Sequence, residues 1–290
     1  MEETKLELQK EREFGEVFNA TFAFIQQEFK VLGKAILVFV VPIILLMSIA
    51  LVLFQTSNMN MMRSYNPADP SSVLQNLPGI FGGLFIYMVI LLIGQSVFAG
   101  VIYSYMKLYL QRKGDINLRD ISNELLKCFL PIVGASILAS VVICVGFIFC
   151  IFPGIYLAIS LSMFIPILVI ENNGFGNAFS KSFHLTHKQW WWTFLIILVG
   201  GIMVWVVSFI FSIPSMIFGF SKMFHSIRNN QNPYEMMTTG YIVYTSIVSA
   251  VTQLLYIIPY LLIGFQYFNV VEIMERPSLT QKIEQLGANE

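Results

Sequence analysis

Long apolar runs alternate along this chain with short polar or amphipathic segments. The first regular signal is Phe14, Phe18, Phe22, Ile25, Phe29 and Leu32, an apolar stripe stepping by three and four, which predicts an amphipathic helix. Residues 35–54 then form an apolar run interrupted only by Pro42, followed by a polar segment over 55–78. The run over 79–110 is longer than one bilayer crossing and must tilt or project. A charged segment over 111–127 keeps Leu118, Ile121 and Leu125 on one side. Two further runs, 129–150 and 155–170, flank Phe152-Pro153-Gly154, which reads as a tight turn. The last two runs cover 190–220 and 240–271, with a polar loop over 221–238 between them. Residues 1–13 are charged and expected to be loose. The tail over 272–290 carries Leu279, Ile283 and Leu286 at helical spacing. This pattern predicts an all-α integral membrane protein with six transmembrane helices and interfacial amphipathic helices.

The segment over 171–192, ENNGFGNAFSKSFHLTHKQWWW, joins two of these runs. As a helix it places Phe175, Phe179 and Phe183 on one face and Asn177, Lys181, His184 and Lys188 on the other. Trp190, Trp191 and Trp192 stand where the next span begins, the depth tryptophan prefers. The segment reads as an interfacial elbow anchored by those six aromatic residues. The sharper alternative is a docking or pH-sensitive element that uses His184 and His187. Two histidines three apart, with no other ligand close by, do not make a metal site.

Composition agrees with the pattern. The chain is 56% hydrophobic and 12% charged, with mean hydropathy +0.71, against about 25% charged in soluble domains. Its formal net charge is zero, which gives no field for nucleic acid. Cys128, Cys144 and Cys150 have no metal-site or disulfide-framework spacing. The N-terminus does not read as a secretory signal, so the first span is expected to act as an uncleaved insertion signal. With both termini cytoplasmic, 14 of the 17 lysines and arginines fall on the cytoplasmic side. Only Arg63, Lys222 and Arg228 fall opposite, as the positive-inside rule requires.

A shift of 161 residues brings Phe14, Gly15, Phe18 and Phe22 onto Phe175, Gly176, Phe179 and Phe183. The same shift brings Ile36-Leu37-Val38 onto Ile197-Leu198-Val199, and Leu118 and Leu125 onto Leu279 and Leu286. The reading is an internal repeat of parallel topology. Residues 1–128 form the first copy, 129–170 an inserted hairpin, and 171–290 the second copy. A cleft between copies is where transporters bind substrate.

Little in the runs suggests chemistry. The deep polar residues are Gln95, Ser96, Tyr103, Gln253, Tyr256 and Tyr260, with Ser104, Ser160 and Ser162. They can line a cleft or join helices by hydrogen bonds, the commoner use. No buried carboxylate pair, phosphate loop or nucleophile-base set appears. No cofactor is expected.

Residues 152–192 carry a further pattern: Phe152-Pro153-Gly154-Ile155-Tyr156, then Ile165-Pro166, Val169-Ile170-Glu171-Asn172, and Ala178-Phe179-Ser180-Lys181-Ser182-Phe183-His184-Leu185-Thr186. This resembles the membrane domain attached to some bacterial glycerophosphoryl diester phosphodiesterases, and its stand-alone relatives. The resemblance implies a six-span helical domain of a bacterial cytoplasmic membrane. It implies no phosphodiesterase activity, because it covers the membrane domain alone.

The expected function is a non-enzymatic scaffold or accessory subunit. Its partners would be membrane lipids or another membrane protein, reached through cytoplasmic interfacial helices. The alternative is a transporter or lipid-handling protein that uses the cleft between copies.

Overall fold

The computed structural model describes residues 6–63, 71–111, 116–229 and 239–277. The tail positions Leu279, Ile283 and Leu286 lie outside the described residues, as do Lys5, Arg112, Lys113 and Lys282 of the topology count. Among the described residues all regular structure is helical. The helices are α1 (Phe14–Ala35), α2 (Val41–Arg63), α3 (Ser71–Gln111), α4 (Leu118–Phe149), α5 (Ile151–Ser160), α6 (Phe164–Ile170), α7 (Phe175–Lys188), α8 (Trp190–Asn229), α9 (Thr239–Leu255) and α10 (Ile257–Glu275). Six helical segments are long and apolar enough to cross a membrane: Phe14–Met59, Leu77–Gln111, Leu118–Phe149, Ile151–Ile170, Trp190–Asn229 and Gly240–Glu275.

Prolines explain several boundaries. A wide π-type turn over Ile36–Val40 links α1 to α2, just before Pro42, whose ring crowds the carbonyl four residues back. Helical backbone thus runs from the amphipathic segment into the first span without an intervening loop. Pro259 offers no N–H to Leu255, where α9 stops, and α10 begins two residues later.

Several boundaries differ from those expected. The polar segment over 55–78 is taken up by α2 as far as Arg63 and by α3 from Ser71; the residues between hold Pro67 and Pro70. From Leu118 the expected amphipathic segment belongs to the same helix as the span after it, with Pro131 inside α4. The turn expected at Phe152-Pro153-Gly154 is made by Cys150 in extended backbone. Pro153 sits in the first turn of α5, where a missing N–H costs nothing. Residues 6–13, the described part of the arm before α1, are held in place rather than loose. Leu8 is buried, and the Arg12 guanidinium donates to the carbonyls of Glu7, Leu8 and Lys10.

Two compact units are built from alternating pieces. One comprises Met1–Val40, Ser96–Ile202 and Ile257–Glu290; the other comprises Val41–Gln95 and Met203–Tyr256. In the first unit every residue of α10 from Leu261 to Glu272 except Ile263 is buried, the polar Gln266, Asn269 and Glu272 among them. The buried half of α3, Val97 to Tyr109, belongs to the same core. Phe24 of α1 sets its ring edge-on to Tyr105, Tyr109 and Phe265, with centroids 5.1–6.0 Å apart. Gly264 makes room for Met106, whose sulfur would lie 2.5 Å from a Cβ there.

The second unit pairs α2 with α9 and stacks Phe54 on Tyr87 at 5.5 Å. Its outer surface is rich in Leu, Ile and Phe, including Leu53, Phe85, Trp205 and Ile217. A water-soluble fold does not present such a surface. The two pieces of this unit start 162 positions apart, at Val41 and Met203, and end 161 apart, at Gln95 and Tyr256.

Candidate functional site

The polar residues of the first unit converge on the turn between α6 and α7. Asn172 there has φ 52, a left-handed backbone that asparagine tolerates better than most residues. That conformation delivers its side-chain carbonyl to the Lys107 ammonium at 2.6 Å. Lys107, only 2% exposed, also pairs with Glu124 of α4, which holds Lys127 at 3.3 Å.

One residue earlier, Glu171 is a second centre. Its carboxylate accepts the Tyr267 hydroxyl at 2.7 Å and the Asn173 amide at 2.5 Å. Lys181 of α7 lies 2.9 Å from the same carboxylate and 2.7 Å from Glu275 of α10. Burial alone would lower the Lys181 pKa, but the hydrogen bonds its ammonium donates to Glu275 and Glu171 outweigh it and hold the ammonium above its ordinary value. On the other flank, Asn269 accepts the Arg12 N–H at 2.8 Å and donates to Gln266, which donates to Thr193 at 3.1 Å. Burial pushes the Arg12 pKa down, with Glu7 and Glu16 opposing. The Tyr105 hydroxyl donates to Glu28 of α1. The cations of this cluster face carboxylates or carbonyls, an arrangement suited to holding helices in register.

This network fixes α7, and its seat differs from the expected one. The buried face is Ala178, Ser182, Leu185 and Thr186. Ser182 and Thr186 both donate to the Ser160 carbonyl, at 2.5 and 3.4 Å. Small residues let the helices approach closely and pass their hydroxyls to a carbonyl that α5 leaves open. Phe175, Phe179 and Phe183 flank this seam: Phe175 and Phe179 lie edge-on to Phe164 at 5.2 and 5.6 Å, and Phe183 packs on Phe179. Trp190 stacks on Tyr156 at 6.0 Å and on Phe194 at 5.5 Å. Trp191 is 71% exposed, and Trp192 reaches the Phe14 ring at 6.0 Å. His184, His187 and Lys188 are exposed.

The deep polar residues pair off. The Gln95 amide donates to Gln253 at 2.7 Å within the second unit. In the first unit Ser96 donates to Ser136 at 3.1 Å, and Tyr260 packs against Phe98 and Tyr103. Tyr256 is partly exposed. Among the described residues no group of three His, Cys, Asp or Glu is placed to hold a metal.

Sequence reasoning counted Lys107 and Lys181 toward topology, placed Lys181 on the polar face of its helix and met Glu171 within the pattern over 152–192, but did not bring the three into one cluster. The signal for Lys107 was a lone cation inside an apolar run, which demands a partner. Its partners, Glu124 and Asn172, are 17 and 65 positions away.

Regular structure that is all helical among the described residues, with six segments long and apolar enough to cross a bilayer and many exposed Leu, Ile and Phe, has the architecture of a multi-pass membrane protein. No family model, curated protein or solved structure matches the chain.

Proposed function

We propose that this is a non-enzymatic polytopic membrane protein, a scaffold or accessory subunit that binds membrane lipid or a second membrane protein through cytoplasmic interfacial helices. The observation that carries the reading is α7. One face is seated on the Ser160 carbonyl and pinned by Lys181 between Glu171 and Glu275. The opposite face leaves Asn177, His184 and Lys188 exposed. A helix fixed on one side and free on the other is a rigid platform. The bias of 14 cations against 3 supports a cytoplasmic position for this face and for both termini. The pattern over residues 152–192 supports a bacterial inner membrane. The recurrence of unit borders at 161 and 162 positions supports a duplicated origin of residues 1–128 and 171–290.

The second reading is a transporter or lipid-handling protein with a cleft between the copies. The Gln95–Gln253 bond weighs against it, because those two amides spend a donor and an acceptor on each other.

A photo-crosslinking amino acid at Asn177, His184 or Lys188, with Ile137 of α4 as reference, tests the proposal in living cells. The expected result is a discrete protein or lipid adduct at α7 that Ile137 does not give. Identical patterns at all sites, with solute flux in vesicles lost in Gln95→Leu, would replace the scaffold by the transporter.

A further inference from the structure

α4 and α5 are joined by a single residue, Cys150, whose backbone is extended at φ −172 and ψ 157. Around it Phe149 and Phe152 are 81% and 80% exposed, and Phe147, Ile148 and Ile151 are exposed as well. Apart from the thiols of Cys144 and Cys150, no polar side chain lies between Ser140 and Tyr156. The chain's other long connections are different in kind: residues 64–70 read SYNPADP and 230–238 read NQNPYEMMT. Five large apolar side chains left in water at one turn would be strongly unfavourable.

The backbone at the apex is adapted to a dry place. The Cys150 N–H donates to the Gly146 carbonyl at 3.1 Å, and the Gly154 N–H to the Cys150 carbonyl at 3.4 Å. Pro153 removes another donor from the start of α5. Gly146 and Gly154 close the hairpin tightly, since a Cβ on Gly146 would lie 3.0 Å from the Gly154 Cα.

Length points to the occupant. Lys127 to Cys150 is 23 positions, about 35 Å of helix at ~1.5 Å per residue, so a leg that starts in the near headgroup layer stops short of water across a bilayer of ~40–45 Å including headgroups. Leu126, Leu130, Ile137, Val141, Val145 and Ile148 form one exposed apolar stripe up that leg, stepping by three, four and seven. The stripe runs without interruption into the apex, so both share one surrounding.

We propose that the α4–α5 apex ends inside the far leaflet, packed by lipid acyl chains, and presents no aqueous loop on that side. The proposal rests on the membrane reading above. A spin label on Cys150, in a Cys128→Ser, Cys144→Ser background reconstituted in nanodiscs, tests it by collision with oxygen and with a polar nickel chelate. Ser140→Cys serves as a mid-helix reference and Asn117→Cys as an aqueous one. Should the background fail to fold, Cys144→Ser alone suffices, because the Cys128 thiol is buried. The expected result is oxygen access exceeding nickel access at Cys150, as at Ser140→Cys. Nickel access at Cys150 with oxygen access at Ser140→Cys would overturn this inference alone. Low access to both reagents would overturn it in favour of a covering protein. Nickel access at both positions would overturn the membrane reading itself.

Discussion

The Lys107 ammonium and the Asn172 side-chain carbonyl are 2.6 Å apart, and Asn172 reaches that position only through a left-handed backbone. Two modest costs, a buried charge and an uncommon φ, are thereby tied to one contact. Removing the lysine leaves Glu124 with only its partly exposed pair to Lys127. Lys107→Ala is expected to cost about 3–5 kcal/mol, read as a lowered unfolding midpoint in detergent. Lys107→Met with Glu124→Leu should recover most of the loss, since apolar replacement of a whole buried pair is often neutral. A single variant as stable as the parent would refute the account.

For Asn172 the backbone and the amide can be separated. Asn172→Gly keeps the left-handed conformation and loses only the acceptor, whereas Asn172→Ala also carries the left-handed penalty of about 1–2 kcal/mol. The alanine variant should therefore unfold at the lower temperature. The reverse order would mean that φ at this turn is not constrained.

Lys181 gives a pH signature. Its folded pKa is raised, so its contribution is fully present below the ordinary value of 10.5 and is lost as pH rises through the folded value above it. The stability gap between the parent and Lys181→Met should be flat from neutrality to 10.5 and close only beyond it. A gap that closes near neutrality would remove Lys181 from the clamp.

The Gln95–Gln253 bond is suited to a double-mutant cycle with leucine at each position. Its coupling should fall near the ~0.6 kcal/mol typical of such bonds in membranes. A coupling of zero would leave the two amides free for another use.

Helix existence and apolar spans were legible in the sequence because a bilayer leaves the backbone few options. Boundaries were less so, for a stated reason in each case. Polar residues such as Asn58 and Asn60 look like loop, yet α2 continues through them, since a helix needs only unbroken backbone bonding to extend past a membrane. The Phe175, Phe179 and Phe183 stripe was visible, but Ala178 and Ser182 form the actual seat. Hydrophobicity ranks phenylalanine first, while close helix approach selects small side chains. The charge cluster was illegible as a cluster because Glu171 and Tyr267, 96 positions apart, share no local pattern.

The Arg12 N–H is satisfied by Asn269, 257 positions later in the chain. At ~5–20 residues per second of synthesis, that is a wait of roughly 13–50 s. The arm that carries Arg12 is made well before the helix that satisfies it. Seating of this arm is thus tied to the arrival of α10, and a chain truncated before α10 would leave the Arg12 N–H without Asn269.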